Sequence, residues 1–165
     1  MTNSVQERPP LPGYVQYGDL DPFENLVGPF WLNQNTKKGA WRVRDHNCNS
    51  MGITHGGAVM SFVDFAVFVI AGEYTFPNTN HYYVTLSLSC DFVGKSKAGT
   101  LLEADGSVVK VSKDRDIIVV TGRVYFADKG KTATTIAIFR AIIKKAGSVG
   151  QSNSSKESAG QTSKL

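Results

Sequence analysis

Cysteine is scarce, with Cys48 and Cys90 the only two in 165 residues. So few thiols cannot build a disulfide framework, and Cys90 falls inside a strand-like pattern, so a reducing compartment is expected. Histidine is nearly as sparse, limited to His46, His55 and His81. His46 and Cys48 beside Asp45 form a short metal-capable cluster, but the spaced second ligand pair of a structural zinc site is missing, and no metal centre is expected. No apolar run reaches membrane-spanning length. The greasiest stretch, residues 56–72, is too short and carries Ser61 and Asp64, so no membrane span is expected. A charged start leading into an apolar run is absent too, which argues against a secretory leader. The formal net charge is +4, yet the lysines sit at segment edges (Lys37, Lys38, Lys129, Lys131) or in the tail (Lys156, Lys164). Without an Arg/Lys stripe interleaved with aromatics, nucleic acid is not an expected partner. A mildly basic rim suits a phosphorylated small molecule equally well.

What is present falls into three parts. Residues 1–28 form an irregular arm, proline-rich up to Pro22 and outside the core, ending in a helical turn around Asp21 to Val27. Residues 146–165 are polar and small, with too little apolar surface to offset chain entropy, and are expected to be disordered. Between them, residues 29–145 read as one domain. Trp41 and Val43 alternate with Arg42 and Arg44, as in a half-buried strand. From Gly56 to about Phe76 apolar side chains occupy every helical face (Val59, Met60, Phe62, Val63, Phe65, Val67, Phe68, Ile70), which predicts a helix wrapped by other structure. Tyr83 to Val93 alternates Val84, Leu86, Leu88, Cys90 and Phe92 with Thr85, Ser87, Ser89 and Asp91, a period of two. Strands over 101–111, 117–127 and 132–143 follow, separated by turn-like segments at 112–116 and 128–131. Consecutive strands with short turns predict antiparallel neighbours and an apolar face for the helix to cover. The expected class is α+β, an antiparallel sheet on one long helix.

The chemistry concentrates at the start of that helix, in Asn49-Ser-Met-Gly-Ile-Thr-His55-Gly56-Gly57. Glycines at a helix N-terminus let a ligand carbonyl approach, and unpaired N–H groups with the helix dipole would polarise it. A tight turn feeding the helix explains the pair equally. Asp64 lies among Phe62, Val63, Phe65 and Ala66, where a carboxylate costs several kcal/mol unless paired or protonated. A structural Asp bonded to a nearby amide or hydroxyl and a catalytic base both satisfy that pattern. Eight residues separate Gly56 from Asp64, about 12 Å along a helix axis. If both act on one substrate, they come from different subunits, with two helices antiparallel across a two-fold axis.

The spacing of Asn49, His55-Gly56-Gly57 and Asp64 resembles the hotdog-fold acyl-CoA thioesterases of the phenylacetate-pathway (PaaI) type, over roughly residues 30 to 145. The resemblance implies a curved antiparallel sheet around one central helix, and hydrolysis of a thioester to CoA and a carboxylic acid. The site would lie between protomers of a homodimer or dimer of dimers. It casts Asp64 as base or nucleophile, the Gly56 N–H as oxyanion donor and Asn49 as the amide that orients water or thioester. His55 would fix the motif's backbone, and Thr85 would help hold the water. No dissociable cofactor is implied. The phosphates of CoA would need cations, for which Lys95, Lys97, Lys113 and Arg115 at strand ends are candidates, with Gly57 at the helix start. Phe62, Phe65, Phe68 and Tyr74 leave the acyl group open. Two alternatives use the same fold: a module that binds acyl-CoA without cleaving it, and an enoyl-CoA hydratase. The final Ser163-Lys164-Leu165 matches a receptor-read peroxisomal address; the expected location is peroxisomal in a eukaryote and cytoplasmic in a bacterium.

Overall fold

A layer of aromatic side chains holds the long helix of residues 56–70 against the sheet. Phe30 and Trp41 come from neighbouring strands, Phe62 and Phe65 from the helix, and all four are buried. Their ring centroids lie 5.8 Å (Phe30 to Trp41), 5.4 Å (Phe30 to Phe62), 5.2 Å (Phe30 to Phe65) and 5.6 Å (Trp41 to Phe62) apart, within the range where aromatic pairs add to burial.

The computed structural model describes residues 8–16, 21–75, 79–127 and 134–148. The 128–131 turn and the terminal Ser163, Lys164 and Leu165 lie outside them. The elements run β1 (Val15–Gln16), α1 (Pro22–Val27), β2 (Phe30–Asn33), β3 (Lys38–Arg42), a 3-10 turn (Asp45–Asn47), α2 (Gly56–Ile70), β4 (His81–Phe92), β5 (Leu101–Val111), β6 (Ile117–Phe126) and β7 (Thr135–Ser148). They build one antiparallel sheet in the order β1-β2-β3-β5-β6-β7-β4. α2 packs on β2, β3, β4, β5 and β6, as a helix wrapped by a curved sheet must. Among the described residues no helix is long and apolar enough to cross a membrane.

Several expectations change on contact with the structure. β4 does not pair with its sequence neighbour β5. Instead β3 pairs with β5 and α2 carries the chain across the sheet, so that β4 joins β7 at the far edge. The helix ends at Ile70, short of Phe76. Ala71 caps it by donating to the Val67 and Val69 carbonyls, and Gly72 follows, a residue that weakens helix propagation. The single alternation read over 83–93 is broken by a bulge between Thr85 and Ser87, which reverses the face of every later residue. Tyr83 and Thr85 point inward before it and Leu88 and Cys90 after it, so Val84 and Leu86 are 52% and 59% exposed rather than core. His81 opens β4 and bonds Ser148 Oγ through Nδ1 at 2.8 Å, so it is not a loop residue. Nor is the whole arm outside the core, because Tyr14 is buried with Trp31 and Ala40 and donates its hydroxyl to Glu103.

One close approach fixes the middle of the sheet. Gly106 and Gly122 face each other across β5 and β6. A Cβ on Gly122 would lie 2.4 Å from the Asp105 carbonyl oxygen and 2.4 Å from the Phe139 ring, so the ring occupies the space a side chain would need. Gly122→Ala is expected to cost about 1–3 kcal/mol of folding stability, measured by denaturant unfolding; an unchanged midpoint would show that both the strand and the ring give way freely.

Candidate active site

The loop that leads into α2 is built around buried polar groups. Asn47, Thr54 and Ser96 are all buried, and each is satisfied. The Asn47 side chain accepts the Arg44 N–H at 2.8 Å and donates to the Val27 carbonyl at 2.9 Å, while its own carbonyl accepts the His55 N–H at 2.8 Å. Thr54 and Ser96 share a hydroxyl hydrogen bond of 2.7 Å, and the Thr54 N–H donates to the Ser96 carbonyl at 2.9 Å. This ties the motif loop to residues 94–97. None of the three stands out in sequence, where an Asn, Thr or Ser in a loop carries no periodic signal.

At the helix start His55 is the N-cap, with extended backbone (φ −64°, ψ 133°) and its ring Nδ1 accepting the Gly57 N–H at 2.9 Å. That bond requires a neutral ring protonated on Nε2, so Nδ1 is committed to the backbone and is not free as a base. The Ala58 and Val59 N–H groups both donate to the His55 carbonyl, at 3.0 and 3.1 Å. A helix leaves its first N–H groups without intrahelical partners. Here every one but Gly56 finds an acceptor, and the Gly56 N–H has none among the described residues. It opens on a cleft of about 190 Å³ lined by Asn49, Gly56, Phe92, Lys95 and Ser96 among others.

Asn49 is half committed. Its Oδ1 accepts the Met51 N–H at 2.9 Å and the Ile53 N–H at 3.4 Å. Its NH2 has no partner among the described residues, so Asn49 can meet a ligand only as a donor. Lys95 joins this group on the cleft wall. Lys97 lies in the same loop, exposed, with its backbone N–H on Thr100 Oγ1 at 3.4 Å. Arg115 is not brought here. It occupies the turn between β5 and β6 in a left-handed conformation (φ 58°), near the far end of α2 where its charge reaches Tyr74; Lys113 lies exposed in the same turn.

Asp64 forms a second centre. Thr85 Oγ1 donates to Asp64 Oδ1 at 2.7 Å, the structural counterpart of the bulge that turns Thr85 inward. Asp64 is only half-buried, and so are Ser61 and Phe68; with the exposed Gly57 they form a stripe along α2. The opposite side, carrying Phe62, Val63, Phe65, Ala66 and Val67, is buried. The helix is therefore buried on one side and only partly covered on the other. A further acid was not singled out from the sequence: burial, and then the charges of Asp21 and Asp64, push the Glu24 carboxyl up to about 7. Among the described residues no three His, Cys, Asp or Glu side chains are grouped to hold a metal.

A larger open groove, about 510 Å³, lies on the solvent face of the sheet beside Gly106, Gly122 and Ile138. Its charged residues, Asp105 and Arg123, pair with each other at 3.0 Å, and it shares no residue with either centre.

Comparison with known proteins agrees with the architecture. No curated protein matches the chain in sequence. Among solved structures, the PaaI protein of the E. coli phenylacetic acid degradation operon superposes with TM-score 0.61 at 18% identity, over 79% of this chain and 88% of that one. A Streptococcus mutans protein bound to acetyl-CoA gives TM-score 0.55 at 22% identity, over 68% and 82% of the two chains. A mutant acyl-CoA hydrolase from Staphylococcus aureus gives 0.57 at 17% identity, over 68% of each. These likenesses establish the α+β hotdog fold, a curved antiparallel sheet around a central helix. The sequence profile of the thioesterase superfamily matches residues 51–134, from the motif loop through β6, and with half of its length covered the chain belongs to the thioesterase superfamily.

Proposed function

We propose that the protein is an acyl-CoA thioesterase whose active site is shared between two protomers. The observation that carries this reading is the division of labour along α2. An unpaired N–H at Gly56 with the Asn49 amide and Lys95 lies at its start. A carboxylate held by Thr85 lies eight residues further on, about 12 Å along the axis. Either centre alone lacks half of the chemistry. The partly exposed stripe of Gly57, Ser61, Asp64 and Phe68, and the exposed Val84 and Leu86 on the edge strand β4, are surfaces that a second copy would cover. Two copies related by a two-fold axis, with their α2 helices antiparallel, would set Gly56 of one against Asp64 of the other.

In that site the thioester oxygen accepts the Gly56 N–H, at the positive end of the α2 dipole, and the Asn49 NH2 donates beside it. Asp64 removes a proton from water as the water oxygen attacks the carbonyl carbon. The tetrahedral intermediate collapses, the C–S bond breaks, and the CoA thiolate takes the proton from Asp64. Thr85 keeps the carboxylate aimed at the water. Lys95 and Lys97 meet the phosphates of CoA. The acetyl-CoA carried by the Streptococcus mutans structure supports this class of ligand.

Asp64→Asn is expected to lower free-thiol release by about 10²–10⁴-fold across short, long and aryl acyl-CoAs; unchanged turnover would remove Asp64 from the mechanism. Thr85→Val is expected to lower kcat by roughly tenfold or more, the worth of a hydrogen bond to a charged group, while Thr85→Ser keeps most of it. Sharing of the site has its own test. Proline at position 56 removes the N–H at a first helical position that tolerates proline, and His55 already has the extended backbone that a residue before proline takes. Gly56→Pro and Asp64→Asn should each be nearly inactive alone. Unfolded and refolded together, they should recover about a quarter of wild-type turnover, because half of the mixed dimers are hybrids with one intact site each. No recovery from folded, mixed dimers would mean that each chain carries its own complete site.

A further inference from the structure

β4 ends beside the start of α2, and the residue it leaves there is aromatic. After the bulge at Thr85/Ser87 the inward positions of β4 are Leu88, Cys90 and Phe92. Leu88 and Cys90 pack against the core, whereas Phe92 is 53% exposed. Its ring meets α2 at Gly56. A Cβ on Gly56 would lie 3.4 Å from the Phe92 Cζ and 3.7 Å from both Cε atoms. The tip of the ring thus rests against the residue whose N–H has no acceptor among the described residues, and both residues line the same cleft. Val84 and Leu86, the surfaces left for a second copy, lie on the opposite face of the strand.

A single exposed ring is ordinary on a protein surface, but the backbone under this one is pinned. Phe92 pairs with Ala137 on β7, and the Val93 and Gly94 N–H groups both donate to the Ile136 carbonyl at 3.0 Å. A Cβ on Gly94 would lie 3.0 Å from the Thr135 carbonyl oxygen, so only glycine allows this approach. From there the chain runs into residues 94–97, where Ser96 is bonded to Thr54 of the motif loop. The cleft is graded accordingly. Val59, Ile136, Thr54 and Ser96 are buried, while Phe92 and Lys95 are exposed, three residues apart on one wall.

A thioester carbonyl at the Gly56 N–H carries two substituents, the acyl carbon and the sulfur of CoA. The phosphates stand at the far end of the arm that begins at that sulfur, so the sulfur side leaves toward the cations, along the wall that carries Phe92 and then Lys95. The arm is largely methylene and amide, able to cover an apolar ring, and a sulfur beside an aromatic ring is a favourable contact. We propose that Phe92 is a substrate-binding residue, the apolar platform on which the pantetheine arm of CoA lies between the Gly56 donor and Lys95. The proposal rests on the thioesterase reading and on its placement of the CoA phosphates at Lys95 and Lys97. The ring touches a part of the ligand that is the same in substrate and product, so it contributes to binding and not to the chemical barrier. It also touches the half that every acyl-CoA shares, so it does not select among acyl groups.

The test compares wild type, Phe92→Ala and Phe92→Leu in acyl-CoA hydrolysis, with two competitive inhibitors: free CoA, and adenosine 3′,5′-bisphosphate, a fragment of CoA without the arm. Phe92→Ala is expected to raise KM and the CoA inhibition constant by about tenfold, which corresponds to about 1.4 kcal/mol of lost apolar contact. The factor should be the same for short, long and aryl acyl groups, and inhibition by the bisphosphate should not move. Phe92→Leu keeps an apolar side chain and should lose roughly threefold on the same two constants, so it carries the test even where alanine disturbs β4. Unchanged CoA inhibition would overturn the proposal. A loss confined to particular acyl groups would also overturn it, by placing the ring on the acyl half, and so would an equal loss for the bisphosphate, by tracing the effect to the lysine loop. Each of these outcomes leaves the inactivity of Asp64→Asn intact, so failure here is distinct from failure of the thioesterase reading.

Discussion

The His55 ring closes on the Gly57 N–H at 2.9 Å, and the chemistry of the helix start follows from that cap. A helix N-terminus offers several unpaired donors at once, too many to define where one oxygen should sit. Here the ring takes Gly57, and the His55 carbonyl takes Ala58 and Val59. Among the described residues the Gly56 N–H is the donor of this helix end left without an acceptor, on a residue that lines the cleft at the positive end of the helix dipole. Glycine at position 57 is part of the device, since a Cβ there would lie 3.0 Å from His55 Nδ1 and push the ring away. The motif is thus a way of spending all the donors of a helix end but one.

The second constraint is the rotation of α2 about its own axis. The aromatic layer of Phe30, Trp41, Phe62 and Phe65 turns one side of the helix into the sheet, and burial of such rings is worth several kcal/mol in sum. Once that side is fixed, Gly57, Ser61, Asp64 and Phe68 must share the other. The carboxylate is half-exposed because of where the rings are, and it is held by a donor from β4 instead of by the core. An acid placed one position earlier or later along α2 would have taken the buried place of Val63 or Phe65, where an ion costs far more than a hydroxyl partner returns.

Much of this was legible in the sequence for physical reasons. A long run that is apolar on every helical face stands out among strands of period two, and turn residues at 112–116 mark a hairpin. The motif's spacing named both centres, and the rise of a helix separated them. The rest depended on pairings that no local pattern carries. β4 lies beside β7 and not β5 because α2 spans the sheet, and a bulge at Thr85/Ser87 shifts the strand by one residue, which is enough to expose Val84 and Leu86 and to bring Thr85 to Asp64. An uninterrupted alternation hides such a bulge completely. Asn47, Thr54 and Ser96 were illegible for a similar reason: their importance lies in long-range partners, and the sequence shows only small polar residues in loops.

Asn47 also explains how an unfavourable helix orientation is held. Turning α1 to bury Phe23 and Leu26 would gain about 1.5–3 kcal/mol for each side chain fully covered, and would carry Glu24 out to water. The turn is opposed at the C-terminal end of α1, where the Asn47 amide grips the Val27 carbonyl and the Gly28 N–H returns to the Glu24 carbonyl at 2.6 Å. The same Asn47 accepts the His55 N–H through its backbone. One buried residue therefore anchors, by its side chain, the helix that carries Glu24 and, by its backbone, the loop that carries Gly56. Moving either would leave the other's hydrogen bonds unmade in a buried place, a cost of about 1–3 kcal/mol per group, comparable to the apolar gain. The inward acid persists because its position is shared with the cap at the start of α2.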